Sequence, residues 1–384
     1  EKYSGADKPT LHKLGGAEFE KVKKRARASI KKMTIDLMEL YERRLRLKGH
    51  KYQPDTPWQK EMEDNFEFEE TVDQITATNE IKSDMEQGKI MDRLLCGDVG
   101  YGKTEVAIRA IFKTVIEGKQ AAVLAPTTIL AQQHYNTIMA RLNPYKIKIA
   151  LLNRFVSSSK IKQNLEKIKN GEINIIVGTH RLLSKDVVFH DLGLLVLDEE
   201  QRFGVEHKEK IKTLRSNVNV LSLTATPIPR TLHMSLSGIR DISILETPPV
   251  NRIPIETYVT EYSDSLIMDA VMREVARDGQ VFILYNKVAT IEAFYKKIAA
   301  LLGDKVTVIY AHGQMPANQL EKKIKSFYNR EVSVLISTTI IENGIDLPYA
   351  NTLIVIDADT LGLSQLYQLR GRVGRGRYQS YCIL

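Results

Sequence analysis

Cysteine is scarce in this chain, with Cys96 and Cys382 the only two among 384 residues. The pair has no metal-ligand spacing, and each cysteine sits in an apolar stretch that reads as a strand. Both are therefore expected as buried thiols in a reducing compartment, not as a disulfide. Long apolar runs are missing too. Nothing approaches the ~18 consecutive apolar residues that a membrane-spanning helix needs, so no membrane partner is expected. Low-complexity tracts are absent. So is an initiating methionine: the chain opens on Glu1 and is expected to be a fragment of a longer protein, with any targeting signal outside it.

What is present is an ordinary soluble globular balance, 43% hydrophobic and 27% charged. The length suits two domains of typical size plus attachments. A net charge of +8 points to an anionic partner, nucleic acid first, although composition alone carries that inference only weakly.

Residues 1–16 gather turn formers around two short β-like pieces and end at a Gly-Gly break, which reads as the tail of an upstream module. From Ala17 to about Leu47 the pattern changes. Phe19, Val22, Ala26, Ile30, Met33, Leu37, Leu40 and Tyr41 recur every three or four residues, one face of a helix of roughly 45 Å. The other face carries Lys21, Lys23, Lys24, Arg25, Arg27, Lys31 and Lys32. It is either the solvated side of a connecting helix or a phosphate or partner contact. This linker helix is assigned to residues 17–48.

Two series of apolar strands follow. "RLLC", "AAVLA", "NIIVG", "GLLVLD" and "NVLSLT" lie within residues 49–246, and "QVFILY", "VTVIYA", "SVLIST", "TLIVID" and "SYCIL" within 247–384. They are apolar throughout rather than alternating, as parallel strands covered on both faces are. The expected architecture is α/β, with two tandem domains built on mainly parallel sheets and joined near the Pro-Pro of residues 248–249.

"GDVGYGKT", residues 97–104, lies between a strand and a helix and matches the P-loop pattern G-x-x-x-x-G-K-[ST]. Gly97, Asp98, Val99, Gly100, Tyr101 and Gly102 would turn backbone N–H groups around phosphate oxygens at a helix N-terminus. Lys103 would reach the β- and γ-phosphates, and Thr104 would offer its hydroxyl to Mg²⁺. The strand "LGLLVLDEEQ" supplies the carboxylates at the sheet's carboxyl edge, where ligands bind. Asp198 is expected to hold Mg²⁺ through water, and Glu199 to orient and deprotonate the attacking water. The cofactors so implied are ATP and Mg²⁺.

"DEEQ" resembles the DEAD/DEAH-type signature of superfamily 2 helicases and translocases, whose two domains are RecA-like P-loop folds. The other motifs fall in order from about residue 50 onward. Phe68, Thr71 and Gln74 in "FEFEETVDQ" are similar to the adenine-reading Q-motif. "APTTILAQQH" and "VGTHRLL" resemble the strand-end motifs that grip a nucleic-acid backbone. "LTATPIPRTL", with Thr224, Ala225 and Thr226, resembles the motif that links hydrolysis to movement. "STTIIENGIDLP" and "QLRGRVGR" are similar to the paired motifs of the second domain. Within the superfamily, "DRLLCGDVGYGKTEVAIRA", "GTHRLLSKDVVF", "LDEEQRFGVEHKEKIK" and "LTATPIPRTLHMS" resemble the bacterial transcription-repair coupling factors. The related RecG-type fork-remodelling helicases usually read Asp-Glu-Gln-His where this chain has "DEEQ". Asn153 and Asn343 depart from the pattern, which would place Ser and Thr there.

The resemblance implies an ATP-driven, cytoplasmic, bacterial motor on double-stranded DNA. In the full-length protein, RNA polymerase and excision-repair proteins are the further partners. A helical hairpin would follow Leu384, and without it the fragment is expected to couple hydrolysis poorly to movement. "QLYQLRGRVGRGR", residues 365–377, packs four arginines into thirteen positions. In this family the second domain closes over the nucleotide, and Arg372 and Arg375 match its arginine fingers. Gln368 would sense the γ-phosphate, and Gly344 and Asp346 would meet the ribose. Arg370 and Arg377 fit less clearly, as solvated or DNA-facing side chains. Thr127, Thr128, Gln133, Arg154, Thr179 and His180 are the expected DNA contacts of the first domain. His312, Gly313, Thr338 and Thr339 are those of the second. Ordinary strand-end capping is the competing reading for most of these ten. Two rival functions stay open: a strand-separating helicase of fork-remodelling or RNA type, and a catalytically silent scaffold.

Overall fold

The computed structural model describes residues 24, 48–154, 156–203, 207, 210–211, 218–225, 240–249, 253–339, 347, 349–374 and 378–384. The expected tail 1–16 lies outside the described residues, and so does the expected helix 17–48 apart from Lys24 and Lys48. Thr226, Gly344, Asp346, Arg375 and Arg377 lie outside them as well.

Two helices precede the first strand. In α1 (Pro57–Asp64) the Thr56 hydroxyl accepts from the Gln59 N–H, and Pro57 stands where its missing N–H costs nothing. In α2 (Val72–Glu86) Thr71 and Gln74 form a reciprocal capping box. The first lobe then runs β1 (Asp92–Gly97), α3 (Lys103–Ile116), β2 (Gln120–Leu124), α4 (Thr128–Leu142), β3 (Ile149–Leu152), α5 (Ser158–Lys169), β4 (Ile175–Gly178), β5 (Leu192–Asp198), β6 (Asn219–Thr224) and β7 (Asp241–Leu245). The second runs β8 (Glu256–Tyr258), α6 (Asp264–Ala276), β9 (Gln280–Leu284), α7 (Ile291–Leu302), β10 (Val308–Ala311), α8 (Ala317–Tyr328), β11 (Val334–Ser337), β12 (Ala350–Val355), α9 (Leu363–Arg370) and β13 (Tyr381–Ile383).

The first sheet has the order β3-β4-β2-β5-β6-β1-β7, and the second β10-β11-β9-β12-β13-β8. Every described pairing is parallel. All strands of a sheet therefore end on one edge, and that edge carries the candidate site residues.

Each sheet separates two cores, which explains the unbroken apolar runs. Ala121 and Val123 of β2 join one cluster, while Ala122 and Leu124 join the cluster on the opposite face. In β9, Phe282 and Leu284 face one way and Val281 and Ile283 the other. Three strands escape the apolar-run reading: β3, β7 and β8. All three are sheet edges, where one side lacks a neighbour and the pressure for continuous burial relaxes. β7 shows this directly, with Asp241 and Ile244 exposed beside buried Ser243 and Leu245.

Candidate nucleotide site and strand-edge surface

The phosphate cradle follows from three features of the P-loop. Gly100 and Gly102 adopt φ of 84° and 82°, a left-handed backbone that a side chain would strain. Gly102 is also covered closely, since a Cβ there would stand 2.3 Å from the Gln74 amide nitrogen. Lys103 opens α3 and folds its ammonium back onto the loop, donating to the carbonyls of Gly97 at 2.6 Å and Asp98 at 2.8 Å. Gln74 donates to the Tyr101 carbonyl at 2.9 Å, and its side-chain oxygen accepts from the Thr71 N–H. Thr71 and Gln74, expected to read adenine, thus also tie the loop to α2. Phe68 stands 65% exposed near them.

The acidic pair sits at the carboxyl end of β5. Asp198 accepts a hydrogen bond from His134 Nε2 at 2.7 Å. Burial pushes the Asp198 pKa up, but that hydrogen bond and the charges of His134, Lys103 and Arg372 outweigh it. The carboxyl therefore lies below the usual range. Glu199 goes the opposite way: burial first, then the Asp198 charge, raise its pKa against the opposing Arg202, Arg372 and Lys103. Two adjacent acids are driven apart in acidity, one held ionised and one biased toward the proton. That division is what a metal-holding carboxylate beside a proton acceptor requires. The backbone of Glu199 is left-handed, φ 50° and ψ 48°, an uncommon state for a residue with a side chain. The turn is anchored on both sides. The Glu199 N–H donates to the Leu223 carbonyl of β6, and Glu200 is held by Ser222 at 2.9 Å and Arg240 at 3.3 Å.

The second lobe meets this pocket. Arg372 is buried, 4% exposed, and its charge acts on both Asp198 and Glu199. Gly371 lies against the P-loop so closely that a Cβ there would come within 2.9 Å of Val99 Cβ. Gln368 is half-buried one turn earlier on α9. Arg370, read from sequence as solvated or DNA-facing, is half-buried. With Tyr367 and Gly371 it lines a cavity of about 240 Å³ whose other walls include Asp98, Tyr101 and Pro248.

The expected DNA contacts fall at or just after carboxyl ends of strands, except Gln133, which lies within α4. Thr127 caps α4, its hydroxyl accepting from the Leu130 N–H at 3.2 Å, with Thr128 and Gln133 half-buried beyond it. Thr179 is buried at the end of β4, and His180 next to it stacks on His207 at 5.1 Å. Burial, then His207, Arg154 and Lys210, hold the His180 pKa below the ordinary imidazole value, the signature of a basic cluster. In the second lobe, His312 is half-buried and Gly313 exposed after β10. Thr338 is buried after β11, and Thr339 donates to the Asn286 side chain at 3.4 Å. Arg154 forms an ion pair across the lobes with Glu321 of α8. Thr224 ends β6 buried, with Ala225 following it half-buried.

Sequence reasoning missed His134, Glu200, Arg240 and Glu321. Only His134 left a local signal: it lies seven residues after Thr127, two helical turns, and so on the same face as the cap.

The chain matches the DEAD/DEAH box helicase family over residues 71–235 and the helicase conserved C-terminal domain over residues 263–377. It is 56% identical over 383 residues to the transcription-repair-coupling factor of Bacillus subtilis (strain 168), covering 99% of this chain and 32% of that protein. The protein of the same name from Staphylococcus aureus (strain USA300) is 55% identical over 373 residues, with 97% and 32% covered. The chain thus spans about a third of the length of these curated relatives. A structure of RecG bound to a three-way DNA junction superposes with a TM-score of 0.77 at 33% identity, over 95% of this chain and 50% of that one. The DEAD-box helicase Mss116 bound to single-stranded RNA shares the fold, with a TM-score of 0.68 at 18% identity over 86% of this chain and 72% of that one. The two parallel sheets are accordingly RecA-like domains, and the chain belongs to the ATP-hydrolysing superfamily 2 helicases and translocases, in the branch of the transcription-repair coupling factors.

Proposed function

We propose that this chain is the motor of a double-stranded DNA translocase acting in transcription-coupled repair, with motor domains at residues 49–246 and 247–384. In the longer protein that motion would displace stalled RNA polymerase and bring excision-repair proteins to the lesion. The observation that carries the motor reading is the placement of Arg372. A guanidinium from the second lobe is buried against the acidic pair of the first, so the catalytic set is divided between two bodies.

In this reading Lys103 moves from the loop carbonyls to the β- and γ-phosphates. Glu199, its basicity raised, accepts a proton from the attacking water on a carboxylate oxygen. Arg372 places its charge on the γ-phosphate, with Arg375 as its partner, a contribution worth ~10³–10⁵ in rate in related NTPases. Gln368 senses the same phosphate, Phe68, Thr71 and Gln74 meet adenine, and Gly344 and Asp346 meet the ribose. Thr104 and Asp198 fit Mg²⁺, which prefers one or two protein oxygens and completes its shell with phosphate and water. Among the described residues no cluster of three or more His, Cys, Asp or Glu could hold a metal alone, in keeping with an ion that arrives with the nucleotide. When bound, it would neutralise charge on the transferring phosphoryl group. Loss of the γ-phosphate removes the bridge between lobes, and the cleft reopens.

DNA would lie along the carboxyl ends of β3, β4 and β2 and of β10 and β11, gripped at phosphates without much sequence preference. Thr224, Ala225 and Thr226, at the end of β6, would link that grip to the phosphate site. The RecG likeness supports fork remodelling as the second reading. Turnover measured with duplex, forked DNA and RNA separates the two, with Glu199→Gln as the variant that binds nucleotide without turning it over. Equal stimulation by duplex and fork supports translocation on duplex, and stimulation by the fork alone supports remodelling. Unchanged turnover in Glu199→Gln would sink the catalytic assignment.

A further inference from the structure

The carboxyl edge of the first sheet is divided. The strands β3, β4 and β2 bear the proposed DNA contacts, and β5, β6 and β1 bear the nucleotide site. β2 and β5 are neighbours, so the boundary between the two functions runs between them. The hydrogen bond from His134 to Asp198, at 2.7 Å, crosses it there. His134 belongs to α4, which leaves β2 and begins at the Thr127 cap.

From this we infer that His134 is a positioning residue: it fixes the orientation of the Asp198 carboxylate and transmits displacement of α4 to it. The inference rests on the proposed role of Asp198 as the metal-holding carboxylate. An ionised carboxylate only accepts hydrogen bonds, so Nε2 of His134 carries the proton in this contact. Oδ2 of Asp198 is thereby committed to His134, so that Oδ1 would be the oxygen left to serve Mg²⁺ through water. Both side chains are enclosed, at 8% and 13% exposure, so solvent does not compete freely for the bond. Partners of this kind, one bond removed from a metal, typically change metal affinity by ~10–100-fold when lost. The same bond makes α4 a lever. His134 lies two turns from the Thr127 cap, roughly 10 Å along the helix axis, so a shift of the helix start on gripping a phosphate moves the imidazole against the carboxylate.

The test titrates Mg²⁺ into the full chain with a fluorescent N-methylanthraniloyl-ADP probe, for wild type, His134→Leu, His134→Gln and Asp198→Asn. His134→Leu is expected to raise the Mg²⁺ concentration for half-maximal binding by ~10–100-fold and to leave nucleotide affinity in chelator unchanged. His134→Gln, whose Nε2 can donate from nearly the same place, is expected to restore the wild-type requirement. Asp198→Asn is expected to resemble His134→Leu. If Asp198→Asn raises the requirement and His134→Leu does not, the positioning role is overturned while the metal assignment stands. An unaltered requirement in Asp198→Asn overturns the metal assignment itself. If His134→Gln behaves as His134→Leu does, the effect is packing and the hydrogen-bond argument fails. As a second readout, duplex-stimulated ATP turnover is expected to fall more than unstimulated turnover in His134→Leu. Equal falls would overturn the lever.

Discussion

Gly371→Ala isolates lobe closure from every chemical group in the site. The backbone at Gly371 is right-handed, φ −66° and ψ −9°, so alanine is tolerated locally and the second lobe keeps its fold. The new methyl meets only the other lobe at close range, 2.9 Å from Val99 Cβ and 3.2 Å from its Cγ2. Carbon atoms rest at ~3.5–4.0 Å, so the lobes must separate there by about 0.6–1.1 Å. Val99 Cβ is attached directly to the P-loop backbone and has no rotamer by which to step aside. Arg372, the next residue, is carried outward with the wedge. A misplacement of ~1 Å at a catalytic group costs ~10²-fold in rate, about 2.7 kcal/mol in activation free energy. Steady-state ATP turnover at saturating duplex DNA is the assay. The expected result is kcat lower by ~10–100-fold, with ADP affinity and the thermal midpoint unchanged because the cradle and both cores are intact. Val99→Gly added to Gly371→Ala removes the opposing carbon and is expected to recover part of the loss. Wild-type turnover in Gly371→Ala would refute the claim that this contact is part of the working closed state.

Glu321→Gln is expected to release Arg154 for phosphate and tighten duplex binding without nucleotide by about fivefold, taking ~1 kcal/mol for a pair with one exposed partner. The gain should vanish in an Arg154→Ala background, and a gain that persists there would show that Arg154 is not the residue released. The two thiols give a check on the cores. Burial pushes Cys96 up to about 11 and Cys382 up to about 12, so at pH 8 roughly one thiol in a thousand or fewer is thiolate. Neither should be alkylated by iodoacetamide until the protein is unfolded in denaturant, and rapid labelling of the native chain would contradict the burial.

The P-loop and acidic pair of the candidate site were legible as a strand–loop–helix and a strand end because their residues are neighbours in sequence. Backbone N–H groups from consecutive positions must converge on phosphate, so "GDVGYGKT" has to be contiguous, and Asp198 and Glu199 are adjacent at one strand end. The interior strands were legible because they are buried on both faces. What escaped depended on partners far along the chain. His134 and Asp198 are separated by 64 positions, and Ser222, Arg240 and Glu200 are brought together only by the order of strands in the sheet. The surroundings of Arg370 escaped for a related reason. Nothing in a run of glycines and arginines says which guanidinium will face the P-loop cavity, because that depends on where α9 ends relative to the other lobe. The short edge strands failed through weakness of signal: β8 has three residues, all exposed.

The contacts between lobes differ in kind, and the difference bears on how two ligands could share one motion. At the nucleotide side the contact is steric and electrostatic, Val99 against Gly371 and Arg372 against the acidic pair. At the proposed DNA side it is an ion pair, Arg154 with Glu321, whose anionic member a phosphate could replace. A ligand shifts a two-state equilibrium only by its differential affinity for the states. In the proposed cycle a nucleotide with its γ-phosphate would add a bridge at the first contact and so favour closure. A DNA phosphate that took Arg154 from Glu321 would remove a bridge at the second, and replace it with a strand spanning both lobes. Each ligand would then change the free energy of the same relative movement from a different part of the interface. Linkage then requires the effect to be mutual: if DNA promotes the closed, hydrolysing form, ATP must tighten DNA binding by the same factor. In the proposed motor, hydrolysis would exchange the ligand that favours closure for one that lacks the γ-phosphate, and the buried guanidinium of Arg372 is the group proposed to register that exchange.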